Sequence, residues 1–274
     1  VTETAARAQA GAAGHARVTS HACDVSDEAQ VLSFRDELLE QHDIDHVDLV
    51  FSNAGIGGGE SFVTSRREDW ERTFAVDFWG VYYCARAFLP LLIASGDGVL
   101  VNTSSVNGFW ASLGPGAPNQ AYCTAKFAVK GFTESLIEDL RTNAPQVRVV
   151  VVMPGHVGTD IIANSLRARG LPDASQLSDA QLEELIPARR RPAGASADDL
   201  RQLLAQANAN FRDQAPLSAA GAATIILDGV RSGAWRILVG DDAAVLDALV
   251  RAKPEAAYDY AELGRAAPGS GASA

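Results

Sequence analysis

The sequence predicts an α/β domain in which a doubly wound parallel sheet lies between two layers of helices. Three observations predict it. Residues 47–55 (VDLVFSNAG), 99–105 (VLVNTSS) and 147–155 (VRVVVVMPG) are short, continuous apolar runs bounded by turn residues, the pattern of strands buried on both faces. Helical periodicity fills the intervals, at 67–93 and 122–141. No hairpin signal joins any two of the runs, so the strands are connected by helical crossovers and lie parallel.

In chain order, residues 1–13 are Ala-rich and read as the tail of a helix, with Gly11 and Gly14 as stop signals. Residues 16–23 alternate and meet the turn Asp24-Val25-Ser26-Asp27, which reads as a further strand. Ser26 is positioned to cap the next helix, whose apolar face carries Val31, Leu32, Phe34, Leu38 and Leu39. Beyond Gly155 the alternation breaks over residues 156–215, which hold two helices, one capped by Ser178 and one by Ser196. An excursion of that length from the carboxyl end of a strand is expected to be a substrate lid. A helix at 218–231, a strand at 235–240 and a helix at 243–251 complete a single domain over 1–251. Residues 252–274 form an extension ending in RAAPGSGASA, whose composition predicts disorder in part.

A formal charge of −11 argues against nucleic acid and anionic membranes as partners. Arg189, Arg190 and Arg191 interrupt that balance and read as a solvated loop. No apolar run approaches the ~20 residues of a membrane span, and no signal peptide opens the chain, so a cytoplasmic location is expected. Cys23, Cys84 and Cys123 are scattered, odd in number and expected to be reduced. His42 and His46 share an i,i+4 spacing explained by a helix end, and no metal site is expected. The only methionine is Met153, and the sequence opens at Val1.

Chemistry concentrates between residues 99 and 131. Tyr122 and Lys126 stand four residues apart on a helical segment, which places them on one face. A free tyrosine has a pKa of about 10, too high for efficient proton exchange at neutral pH, and a fixed ammonium beside it makes it a usable acid or base. Ordinary helix surface presents the same pair, so its meaning rests on its surroundings.

Those surroundings resemble the classical short-chain dehydrogenases/reductases, Rossmann-type NAD(P)-dependent oxidoreductases, over residues 24–240. Five motifs carry the resemblance in the family's order: Asp24-Val25, Asn53-Ala54-Gly55, Val101-Asn102-Thr103-Ser104-Ser105, Tyr122 with Lys126, and Pro154-Gly155-His156-Val157-Gly158-Thr159. The resemblance implies an alcohol–carbonyl interconversion with NAD or NADP. In it Tyr122 exchanges the proton, Lys126 lowers the tyrosine pKa and binds the nicotinamide ribose, and Ser105 holds the substrate oxygen. Ser104 is left to local hydrogen bonding. Asp24 and Val25 are implied at the adenine, Asn53, Ala54 and Gly55 beside the cofactor, and Pro154, Gly155, Val157 and Thr159 around the nicotinamide.

Three departures accompany it. Asp77, in Val76-Asp77-Phe78-Trp79-Gly80, stands where the family carries a catalytic Asn. An Asp accepts hydrogen bonds in a relay to Lys126 but does not donate when ionised, so a catalytic and a structural role are both open. The Ser105–Tyr122 interval is lengthened by Gly114-Pro115-Gly116-Ala117-Pro118, which reshapes the substrate mouth. The glycine-rich phosphate turn after the first strand has no counterpart, since Gly57-Gly58-Gly59 follows Asn53-Ala54-Gly55 and reads as a flexible loop. The first two strands of the family's sheet are thus expected upstream of Val1, in a βαβ unit of about thirty or more residues. Without them the chain is expected to bind cofactor poorly or not to fold natively.

The expected substrate is a small apolar alcohol or carbonyl compound, held by Phe109, Trp110, Leu113, Ile161, Ile162 and Leu166, residues equally suited to packing between lid and core. The resemblance also implies a homodimer or homotetramer through the helices at 67–93 and 122–141, with Phe78, Trp79, Tyr82 and Tyr83 at the interface or in the core. The competing expectation is a non-catalytic or truncated protein serving binding or assembly.

Overall fold

The computed structural model describes residues 2–12, 16–186 and 191–261. Its helices are α1 (Thr2–Gly11), α2 (Glu28–His42), α3 (Arg67–Phe74), α4 (Gly80–Ser95), α5 (Gln120–Asn143), α6 (Ile161–Ala168), α7 (Asp179–Leu185), α8 (Ala197–Asp213), α9 (Ala219–Arg231) and α10 (Asp241–Ala252). Four strands, β1 (Leu49–Ser52), β2 (Gly98–Thr103), β3 (Val147–Pro154) and β6 (Arg236–Val239), form a parallel sheet in the order β1-β2-β3-β6.

Both faces of the sheet are covered at β2 and β3, which is why these two strands are largely apolar, whereas Leu49 and Phe51 of β1 are each 41% exposed. Val99, Val101, Val150 and Val152 point to one side and pack with Ala222 and Val230 of α9. Leu100, Val147 and Val149 point to the other and pack with Ala85 and Leu92 of α4 and Leu140 of α5. Parallel register aligns Phe51 with Val101 and Thr103 with Val152. All carboxyl ends therefore emerge at one edge, where open α/β sheets bind ligands.

Two short strands, β4 (Val157–Gly158) and β5 (Leu217–Ser218), pair in parallel and close the base of the 156–215 excursion. Within it α7 and α8 begin at capping boxes built on Ser178 and Ser196, at the predicted positions. Ala174, Leu177, Leu182, Ile186 and Leu200 form its own small core. Helix α6 is a third helix of the excursion beyond the two expected, and Asp160 at its N-cap makes no capping bond.

Several expectations are corrected. Residues 16–23 form no strand: among the described residues no neighbouring strand offers a ladder, and the segment is held instead by side chains, Thr19 to His42 at 2.8 Å and His21 to Glu37 at 3.0 Å. Asp27, not Ser26, caps α2 by accepting from Ala29 N–H, while Ser26 donates to Asp24. The helix expected over 67–93 is interrupted by a π turn at Ala75–Trp79. The stretch Arg67–Ser95 also holds a window long and apolar enough to cross a membrane by length and composition; here α4 packs on α2 and the sheet. Arg189 and Arg190 lie outside the described residues, whereas Arg191 donates to Ile186 O at 2.8 Å. Ala13, Gly14 and the terminal segment 265–274 are likewise outside them, but residues 254–261 are ordered against the domain.

Candidate active site

The start of α5 decides where Tyr122 and Lys126 stand. Gln120 and Ala121 donate their backbone N–H groups to Glu60 O and Gly59 O, at 2.9 and 3.0 Å. Gly59 has φ +60°, and a Cβ there would lie 2.5 Å from Ala121 Cβ and 3.0 Å from Trp70 Cα. The triple glycine is therefore a tight anchor for the helix rather than a flexible loop.

Lys126 is 3% exposed. Its Nζ donates to Thr103 O at 3.3 Å, lies 3.7 Å from Asp77 Oδ2 and sits 5.4 Å from the Tyr122 ring centroid. Gly55 makes this approach possible, since a Cβ there would come within 3.2 Å of the ammonium. Asp77 is fully buried. Its Oδ1 accepts from Ile56 N–H at 2.8 Å, and its Oδ2 has no hydrogen-bond partner. The π turn carries it, a departure from α-geometry frequent at functional sites.

Two adjacent serines separate by role. Ser104 Oγ donates to Lys126 O at 2.7 Å, a bond to α5, 22 residues away, instead of the local one expected of it. Ser105, in extended backbone at φ −170°, caps the 3₁₀ turn Val106–Gly108, its Oγ accepting from Asn107 N–H at 3.1 Å. Burial pushes the Tyr122 phenol above its ordinary range; Lys126 pulls it down, and Asp77 pushes it up again. Burial likewise raises Asp77 against the pull of Lys126. The pKa lowering expected of Lys126 is thus present but is outweighed by desolvation.

Ser105, Tyr122 and Lys126 line one cleft of about 730 Å³ together with Asn53, Ala54, Gly55, Pro154, Gly155, Val157 and Thr159. Thr103 Oγ1 donates to Asn53 Oδ1 at 2.9 Å, tying the ends of β1 and β2. His156 N–H donates to Asp242 Oδ2 at 2.7 Å, and its Nε2 meets Phe211 O at 2.7 Å, which fixes the loop after β3. Sequence reasoning missed Asp242 and Phe211, because both lie far along the chain from the loop they hold.

Asp24 and Val25 are not among the cleft's lining residues: Asp24 Oδ1 accepts from Ser26, and Val25 packs toward α4 with Phe88 and Val31. Of the expected apolar pocket only Ile161 lines the cleft. Leu166 packs against the small core of the 156–215 excursion, Phe109 lies under Arg236, Trp110 is bonded to Ala257, and Ile162 and Leu113 are 36% and 57% exposed.

Among the described residues Lys126 is the sole charged group in the lining. An ammonium has three donors; Thr103 O and Asp77 engage it from behind, which leaves capacity toward the cleft. Small residues at Ala54, Gly55 and Gly155 give a flat, uncharged floor. This donor set fits the ribose and nicotinamide of a dinucleotide, and it offers no second cation for phosphate.

Residues 2–170 match the family model for short chain dehydrogenases. A Mycobacterium tuberculosis protein named as an oxidoreductase, SadH, is 34% identical over 236 residues, covering 86% of this chain and 72% of that one. An epidermal retinol dehydrogenase of Mus musculus is 33% identical over 148 residues, 54% of this chain and 46% of the relative. The crystal structure of a short-chain dehydrogenase/reductase of Burkholderia phymatum in complex with NAD superposes with a TM-score of 0.70 at 28% identity, over 93% of this chain and 80% of that one.

Proposed function

The chain belongs to the short-chain dehydrogenase family, and from that premise we propose that it interconverts an alcohol and a ketone or aldehyde using NAD or NADP. The observation that carries the proposal is that Ser105 and Tyr122 line one cleft together with buried Lys126, whose ammonium sits 5.4 Å from the Tyr122 ring centroid. A nicotinamide, when bound, supplies or accepts the hydride. Ser105 holds the substrate oxygen, and Tyr122 Oη gives it a proton in reduction and takes one in oxidation. Lys126 steadies the phenolate and reaches the ribose hydroxyls. Asp77 holds Lys126 from behind. Asn53, Ala54, Gly55, Pro154, Gly155, Val157 and Thr159 seat the nicotinamide half, with Asp24 and Val25 at the adenine end.

The substrate is a small to medium apolar alcohol or carbonyl compound, a class supported by Ile161, Phe211 and Ile226 in the lining and by the retinol dehydrogenase relative. Residues 156–215 act as its lid within one domain, and the protein works in the cytoplasm. Assembly as a homodimer or homotetramer is supported by the aromatic face of Phe78, Trp79, Tyr82 and Tyr83, of which Trp79 is 43% exposed.

Replacing Tyr122 by Phe removes the transferable proton and leaves the fold. Carbonyl-dependent NAD(P)H oxidation by Tyr122→Phe is expected to fall by about 10²–10⁴ with an unchanged melting temperature; retention of normal turnover would falsify the proposal. Because burial holds Tyr122 above its ordinary pKa, the phenol is protonated at neutral pH. Reduction is then flat through neutrality and declines as pH rises through the raised pKa, while alcohol oxidation climbs over that same range.

A further inference from the structure

The segment after α10 returns to the turn behind Ser105. Trp110 Nε1 donates to Ala257 O at 2.6 Å, Ala111 N–H donates to Tyr258 Oη at 3.2 Å, and the hydroxyls of Ser112 and Tyr260 are 2.6 Å apart. The Trp110 and Tyr260 rings meet edge to face. Ala257 is 3% exposed and Ser112 6%, so the contact is packed as well as hydrogen-bonded.

Asn107 links this contact to the hydroxyl expected to hold substrate. Its side chain is buried, and Nδ2 donates to Trp110 O at 3.0 Å and to Ser112 O at 2.7 Å. Those two carbonyls bracket the residues that the returning segment grips. The Asn107 backbone N–H donates to Ser105 Oγ at 3.1 Å. At the other end, α10 is fixed to β6 by Asp247, which takes a two-point bond from Arg236 at 2.6 and 3.1 Å and a further one from Arg251. A continuous set of directed bonds therefore runs from the last strand to the serine, through residues 254–260 and Asn107.

We infer that residues 254–260 are a positioning strap, holding the turn after Ser105 through Asn107 so that the Ser105 hydroxyl keeps the orientation required to receive the substrate oxygen. The inference rests on the proposed reductase reading for the role of Ser105. A serine Oγ exchanges among three staggered rotamers about Cα–Cβ, and its proton turns about Cβ–Oγ, unless partners fix them; a misplaced positioning group costs rate rather than cofactor affinity. Asn107, Tyr258 and Tyr260 touch neither substrate nor cofactor in this account; they are positioning residues.

The test uses the full-length protein carrying Tyr258→Phe and Tyr260→Phe together, with and without Ser105→Ala, and the single variant Tyr122→Phe. Loss of the strap's hydroxyls is expected to speed amide exchange at Asn107 and Ala111 by about fivefold or more, with exchange in the sheet unchanged. It is expected to lower kcat for carbonyl reduction by about fivefold, to leave the KM for NAD(P)H unchanged, and to have no further effect once Ser105 is Ala. Equal losses of kcat in the Ser105 and Ser105→Ala backgrounds overturn the inference, as does unchanged exchange at both amides or acceleration spread through the sheet. If Tyr122→Phe keeps normal turnover, or no carbonyl is reduced, it is the reductase reading that fails; the exchange measurement still decides whether the strap holds the turn.

Discussion

The cluster around Tyr122 and Lys126 and the excursion at 156–215, the proposed lid, are built on opposite plans. Around Tyr122 and Lys126 each group is fixed by backbone atoms from elsewhere in the chain: Gly59 O and Glu60 O start α5, Thr103 O receives Lys126, and Ile56 N–H holds Asp77. The lid has its own core around Leu177, Leu182 and Leu200. Beyond the β4–β5 ladder at its base, it meets the domain through side chains, with Ser165 Oγ accepting from Gly57 N–H at 2.7 Å, Arg169 against Asp69 at 3.3 Å and Arg66 against Glu184 at 3.2 Å. Backbone anchorage survives changes of side chain, and surface pairs do not. On the proposed reading, the chemistry is held constant by one half while the other is free to vary what enters.

The largest break in that contrast comes from Lys126→Met. It leaves Asp77 buried without its ion-pair partner, for a loss of about 3–5 kcal/mol in urea unfolding, and turnover falls at least ~10²-fold. Adding Asp77→Asn is expected to return most of the stability and little of the turnover; recovery of both would place the lysine's role in packing alone.

Leu182→Ala acts on the other side. A cavity in the lid core costs about 2–5 kcal/mol, which is expected to appear as faster amide exchange confined to α7 and α8. Substrate KM rises while kcat stays close to normal. Should kcat collapse with KM unmoved, the separation of lid from cluster is wrong.

Smallest is Arg169→Ala, which removes a partly exposed partner of Asp69 and Glu184. About 1 kcal/mol or less is at stake, read as a few-fold rise in substrate KM that added salt masks in the parent protein. A change insensitive to salt would show that the arginine acts through packing.

How much of this was legible beforehand follows from the range of the forces involved. The apolar runs at 99–105 and 147–155 predicted β2 and β3 because a strand buried on both faces must be apolar throughout. Ser178 and Ser196 predicted α7 and α8 because a cap is a contact within four residues. Residues 16–23 misled for the converse reason: alternation describes a face, but a strand also needs a neighbour to bond. Ile162, Leu113 and Trp110 misled as pocket residues, since apolar character does not say which surface a side chain will meet.

By itself the sequence determined the layered parallel architecture, the order of its motifs and the pairing of Tyr122 with Lys126, all set by periodicity and local spacing. Only the tertiary structure decided that burial outweighs Lys126 in raising the tyrosine pKa, that Gly59 anchors α5, that Asp77 sits in a π turn behind the ammonium, and that residues 254–260 grip the turn after Ser105. Each of those depends on desolvation or on contacts between segments distant in the chain, and such contacts exist only once the chain has packed.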